Sequence, residues 1–170
     1  MMKKRLTSLA LSAMMVLSMV PATAFAAKDA GTPPTYNSAT GCYEISTPAQ
    51  LLYLAGKWKD GAPRDGHYVL TADIDMTGVK GFKPIASKKA EGFTGTFDGQ
   101  FHSIKGLRVE YEKKYAGLFG YVGNQNDQAY IKNVALLDCY VTGQQNVGAL
   151  AGVNYGTITD CDVTGEVKCL

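Results

Sequence analysis

The residues best placed to do chemistry in this chain are carboxylates. Asp73 and Asp75 stand two apart in Asp73-Ile74-Asp75-Met76-Thr77, an alternation that sets both acids on one face of a strand. Such a pair could hold a cation or, across a cleft of about 5–10 Å, cleave a glycosidic bond. A polar outer face opposite Ile74 and Met76 accounts for them more simply. Asp98, ahead of Gly99, reads as a turn residue. His102 could act as a base, but beside Phe101 it reads as a corner or surface histidine, and His67 is the only other histidine. No serine or cysteine stands in a GxSxG context, and the glycines from 117 to 123 lead neither to Gly-Lys-Ser/Thr nor to a helix. No catalytic residue, metal ligand or cofactor is assigned from these residues.

Tyrosines form a second set. Tyr111, Tyr115, Tyr121, Tyr130, Tyr140 and Tyr155 all fall in the second half of the chain, several beside loops rich in Asn and Gln. Exposed tyrosine rings with amide neighbours suit contact with a glycan or a protein. The candidate ligand-binding residues are Tyr111, Tyr115, Tyr121, Asn124, Asn126, Tyr130 and Tyr155. Solvated loops and outer strand faces are the plainer account of the same residues.

The elements that would position these side chains are short. Phe93 to Val109 holds Phe97, Phe101, Ile104, Leu107 and Val109, broken by Gly95, Asp98-Gly99 and Gly106 into pieces too short for helix. They read as strands joined by tight corners. Cys42 to Ile45 and Tyr68 to Thr71 read as further strands. One helix is expected at about 48–59: Thr47 can cap it, Pro48 suits its first position, Gln50 can bond back, and Leu51, Leu52, Leu54, Ala55 and Trp58 form its apolar face.

From Ala116 onward the chain repeats itself. The hexapeptide Asp138-Cys139-Tyr140-Val141-Thr142-Gly143 returns as Asp160-Cys161-Asp162-Val163-Thr164-Gly165. The pentapeptide Ala116-Gly117-Leu118-Phe119-Gly120 returns, at a longer spacing, as Gly148-Ala149-Leu150-Ala151-Gly152. The longer spacing fits a loop inserted at about 123–130. A period of about 20–30 residues made of short strands signals a solenoid, whose copies bury one shared core only when stacked. The inward set expected is Leu118, Ile131, Val134, Leu136, Val141, Leu150, Ile158 and Val163. Cys139 and Cys161 would then stack as a ladder of free thiols, in preference to a disulfide; no cysteine spacing suits zinc.

The 170 residues bound the rest. A basic start, an apolar run from Leu6 to Val20 and Ala24-Phe25-Ala26 read as a signal peptide, residues 1–26, so a secreted or cell-surface location is expected. Residues 27–41, with Pro33-Pro34, read as a flexible linker, and 42–170 as one domain. Removing the three basic residues of the leader from seventeen leaves fourteen against fifteen acidic residues, a charge of −1. That balance argues against a nucleic-acid partner. No second apolar run approaches membrane length.

VGALAG at 147–152 and the following GTITDCDVTGEV resemble the GLUG repeat of bacterial surface proteins, and FTGTFDGQFHSIKGL with YVLTADIDMTG resembles the coils that precede such repeats. The likeness runs from about Tyr43 to Val167. Such repeats also occur in the non-catalytic N-terminal part of some immunoglobulin A metallopeptidases. The resemblance implies an all-β, right-handed parallel β-helix with an N-terminal helix as cap, here with room for about four coils. The chain departs from that pattern in its shortness and in having neither an HExxH nor an LPxTG-type anchor. The leading expectation is a non-enzymatic module for adhesion or binding of extracellular glycan or protein. Behind it stand a β-helix polysaccharide lyase or glycosidase, and a structural spacer or truncated fragment. An unfinished last coil would expose an edge at Val167–Leu170, open to self-association.

Overall fold

The computed structural model describes residues 31–56 and 62–170. The expected signal peptide, Trp58 and the expected last turn of the helix lie outside the described residues. Strand β1 (Thr35–Asn37) pairs antiparallel with β2 (Cys42–Ile45). Residues 35–37 therefore belong to the folded unit and not to a flexible linker. The turn between them explains why: Asn37 Nδ2 donates to Glu44 Oε1 at 2.7 Å, and Gly41 takes a φ of +70° that glycine adopts without strain.

Helix α1 (Pro48–Gly56) follows. Its start is the one expected, with Gln50 N donating to Thr47 Oγ1 at 3.3 Å. The returning bond reaches one residue further back, from Ser46 N to Gln50 Oε1 at 2.8 Å. Leu51 and Leu54 are buried in the core.

The remainder is strand: β3 (His67–Leu70), β4 (Ile74–Asp75), β5 (Thr96–Asp98), β6 (Ser103–Lys105), β7 (Arg108–Ala116), β8 (Phe119–Val122), β9 (Tyr130–Lys132), β10 (Ala135–Val147), β11 (Ala151–Asn154), β12 (Thr157–Thr159) and β13 (Asp162–Cys169). Every strand pair after the first is parallel. One sheet runs β1-β2-β3-β5-β9-β12, a second β13-β10-β6-β4 with β7 also on β10, and a third β11-β8. The result is an all-β solenoid of about three turns.

Parallel register sets inward side chains in columns. Tyr43, Tyr68, Phe97, Ile131 and Ile158 face one another across the first sheet. Ile74, Ile104, Leu136 and Val163 do so across the second, beside Val109, Val141 and Val167. Tyr68, Phe97, Ile104, Leu136 and Val141 are fully buried, and each such side chain contributes about 1.5–3 kcal/mol by leaving water.

Two features of this interior depart from the repeat pattern. Phe101 lies 82% exposed. It and Gln100 are the central residues of a turn closed by His102 N on Gly99 O, both with positive φ, the pattern of a type I′ turn. Gly99 serves a different need: a Cβ there would collide with Asn133 O. The thiol ladder fails as well. Opposite Cys139 stands Gly165, while Cys161 Sγ lies at hydrogen-bond distance from Thr159 O and Ile131 O. All four cysteines are free, but none stacks on another in the way the repeated hexapeptide implied.

The offset between successive coils varies along the stack. Ala151 lies on Phe119, Thr157 on Tyr130, and Val167 on Val141, so the offset shrinks from the third sheet to the first and again to the second. The pentapeptide match was a true stacking register. The hexapeptide match was not. Asp138 and Asp160 each take φ +52°, but Asp160 follows Thr159, whose carbonyl accepts from Asn133 N, and Asp138 N donates to Thr164 Oγ1. The repeated hexapeptide therefore marks two different corners of successive coils.

Candidate functional site

The carboxylates are used up locally. Asp73 Oδ1 accepts from Ser103 N at 2.7 Å and lies 3.4 Å from His102 Nδ1. Asp75 Oδ1 accepts from Thr77 N at 2.9 Å. Asp98 Oδ1 accepts from Gln100 N and Asn133 Nδ2, both at 2.9 Å, and its Oδ2 lies 3.1 Å from Lys132 Nζ. Asp98 is thus a turn residue, as expected, and also a clamp on the next coil.

The backbone bond from Ser103 holds Asp73 below the usual carboxylate range, and Thr77 does the same for Asp75. For Asp98 partial burial acts upward, but the bonds from Asn133, Gln100 and Lys132 outweigh it and the net shift is down. A general acid needs the opposite shift. Among the described residues no group of three or more His, Cys, Asp or Glu could hold a metal ion. Burial pushes the Cys139 and Cys161 thiols up, away from the thiolate that a nucleophile requires.

The tyrosines give a different picture. Tyr121 lies on β8 and faces Val153 of β11, and Tyr155 follows that strand, its N–H donating to Val122 O at 2.8 Å. The two rings stack with centroids 5.9 Å apart and planes at 27°. Tyr115 meets Tyr121 edge-on at 5.1 Å, so three rings form a row. Tyr121 is buried and Tyr155 is 48% exposed. Burial, then the hydrogen bond with Tyr155, pushes the Tyr121 phenol up and keeps it protonated.

The inserted loop borders these rings. Asn124 Oδ1 accepts from Asn126 N at 2.7 Å and Asp127 N at 2.8 Å, and Asn124 Nδ2 donates to Asp127 Oδ2 at 2.9 Å. The loop holds its own shape. Phe93 N donates to Tyr121 O at 2.9 Å, which brings the preceding 3-10 turn, Lys89–Glu91, alongside. Arg64 reaches in from further upstream, its Nη1 donating to Ala90 O at 3.3 Å. Between loop, turn and rings lies a cleft of about 270 Å³ lined by Tyr121, Tyr155, Asn124 and Asn126 together with Arg64 and Lys89.

The structure thus gathers four of the seven candidate residues at one cleft and places Tyr115 behind them. Tyr111, opposite Gly143, packs against the core. Tyr130 stands between Thr96 and Thr157, its hydroxyl donating to Gln128 Oε1 at 3.2 Å. Neither lines the cleft. Sequence reasoning missed Arg64 and Lys89, which precede the loop by tens of residues and reach it only through stacking.

Comparison with known proteins places the repeat. Residues 143–168 match the family model described as the GLUG motif. The chain carries a GLUG repeat. This GLUG segment begins within β10 and covers β11, β12 and most of β13. Halomucin of Haloquadratum walsbyi is 34% identical over 142 residues, which is 75% of this chain and 2% of that protein. A candidate Gly-rich membrane protein of Evansella cellulosilytica is 34% identical over 130 residues, 71% of this chain and 14% of that one. The GLUG-bearing chain therefore spans a small part of either relative. Among solved structures, a candidate immunoglobulin A1 protease from Bacteroides ovatus superposes with a TM-score of 0.59 at 22% identity, covering 82% of this chain and 40% of the other. That likeness concerns the fold. No helix among the described residues is long and apolar enough to cross a membrane.

Proposed function

We propose that this chain is a non-enzymatic β-solenoid module of the cell surface or extracellular space, engaging a glycan or protein ligand through the cleft beside Tyr155. The observation that carries this reading is the cleft itself. Segments far apart in sequence converge on a half-exposed aromatic ring stacked on a buried one. Concave sites with aromatic walls and a few convergent polar groups are the usual form of ligand sites.

The similarity to halomucin and to a Gly-rich membrane protein supports the location. The lowered carboxyls of Asp73, Asp75 and Asp98 support the absence of acid–base chemistry. A right-handed sense and α1 as the cap of the first coil belong to the same proposal, whereas the coils number about three and not the four expected from the sequence. The burial of Leu51 and Leu54 against the core supports that cap.

The test is a glycan array and a panel of extracellular proteins probed with the purified chain and with Tyr155→Ala. Binding that falls at least about tenfold in the variant, with no change in the ligand's length or reducing ends, is the expected result. Release of new reducing ends or unsaturated products that disappears in Asp98→Asn would establish the enzyme instead. Binding indifferent to Tyr155→Ala would place the ligand elsewhere on the solenoid.

A further inference from the structure

The charges around the cleft are unequal. Arg64 and Lys89 both line it, from two different segments. The bond from Arg64 Nη1 to Ala90 O fixes the guanidinium there and leaves other N–H donors of its fork unspent. Lys89 makes no ion pair among the described residues, whereas its neighbour Lys88 pairs with Glu91 at 3.8 Å. The acid on the opposite lip, Asp127, is held by Asn124 Nδ2. Asn124 is spent on its own loop, so the side-chain amides of Gln125 and Asn126 are the ones left to face the cleft.

We infer that this cleft takes an anionic saccharide, a sugar unit bearing a carboxylate or a sulfate, with the ring face on Tyr155 and the anion between Arg64 and Lys89. The inference rests on the proposed reading of the cleft as a ligand site and narrows it to one chemistry. An aromatic face exposed on one side packs the C–H face of a pyranose. The guanidinium fork matches a planar carboxylate or a sulfate through two parallel N–H bonds, and the lysine adds a point charge. Amide side chains at the rim suit ring hydroxyls. The volume of about 270 Å³ lies just below that of usual ligand pockets, about 300 to 1,000 Å³, and suits a short stretch of saccharide. The chain as a whole is close to neutral, with seventeen basic and fifteen acidic residues, so its net charge adds little to the attraction of an anion.

The experiment is calorimetric titration of the full chain with oligogalacturonate, its methyl ester, and a sulfated galacto-oligosaccharide. The methyl ester keeps ring and length but removes the charge. The expected result is binding of one or both anionic probes at least about tenfold tighter than the ester, weakening as salt rises because Coulombic attraction is screened. Arg64→Gln and Lys89→Gln should each weaken the anionic probes by about tenfold or more, leave the unfolding midpoint unchanged and weaken the ester by much less. Which anionic probe binds tells carboxylate from sulfate recognition. Ester and acid bound equally would overturn the anionic assignment while leaving a saccharide site standing. Anionic binding that survives both substitutions would also overturn it. Binding of none of the three probes would overturn it, and the glycan array and protein panel would then decide the broader proposal separately.

Discussion

The early coils and the last coil are built from the same columns, yet only the early ones are dry. In the column Ile74, Ile104, Leu136, Val163, the first three are buried and the fourth is 44% exposed. Val109 and Val141 are fully buried, and Val167, next in line, is not. The aromatic contacts Phe93–Phe119 at 5.1 Å and Phe97–Phe119 at 5.4 Å belong to the early part. Both of these columns are aliphatic throughout, so burial along them follows position in the stack. A coil with neighbours on both sides is held by two interfaces, and β13, at the end of its sheet, by one.

The largest break of this contrast is Phe97→Ala. Loss of a fully buried ring should cost about 3–5 kcal/mol, read as a fall in the urea midpoint at unchanged slope. Next comes the matched pair Leu136→Ala and Val163→Ala, cross-strand neighbours in one column. The first should cost about 2–5 kcal/mol and the second less than about 1 kcal/mol, as for surface substitutions. Equal costs would mean that the last coil is covered in solution.

Acid sharpens the contrast at one point. Asp98 titrates below its ordinary value of 3.8, so the folded chain binds this proton less readily than the unfolded chain. Its stabilisation is complete above about pH 4 and is lost as pH falls through the lowered folded value. Asp98→Asn should therefore remove about 1.5–3 kcal/mol at pH 7, the range of a bond to a charged group, and should flatten the acid limb below pH 4. Asp73 and Asp75 keep part of that limb in the variant. Chemical denaturation across pH 2–7 reads both effects.

The smallest effect is expected from Val167→Lys, below about 0.5 kcal/mol. The same variant tests pairing of copies along Val167–Leu170. Light scattering reads a dimer in the parent and a monomer in the variant if that edge is the contact. Amide exchange completes the series, with β12 and β13 opening before β5 and β6.

Much of this was legible from local pattern. Ile104, Leu107 and Val109 are buried as their spacing predicts, and Thr47 and Gln50 start the helix. The match of Ala116–Gly120 to Gly148–Gly152 is the true register of β8 on β11. What escaped were the corners. The sequence places corners at glycines, but Asn133, Asp138, Asn146 and Asp160 take φ of +52° to +54°, since short polar side chains tolerate that region. A corner of one coil then resembles a different corner of the next, and the hexapeptide match misleads. Leu150 and Ile158 point inward but remain half-buried, because a pattern of apolar residues records the facing direction and not the number of neighbours. The cleft was half legible: its aromatic wall lies near the repeat, and its cations arrive from earlier coils.

The loop between Val122 and Tyr130 is longer than its counterpart in the next coil, where only Tyr155 and Gly156 separate Asn154 from Thr157. Yet β8 and β9 both keep clean parallel registers on either side. The frame is therefore indifferent to what hangs at this corner. A chain of this kind can exchange one loop for another, of new length and composition, and display a new specificity on an unaltered stack, which makes the corner a natural position for grafting peptides.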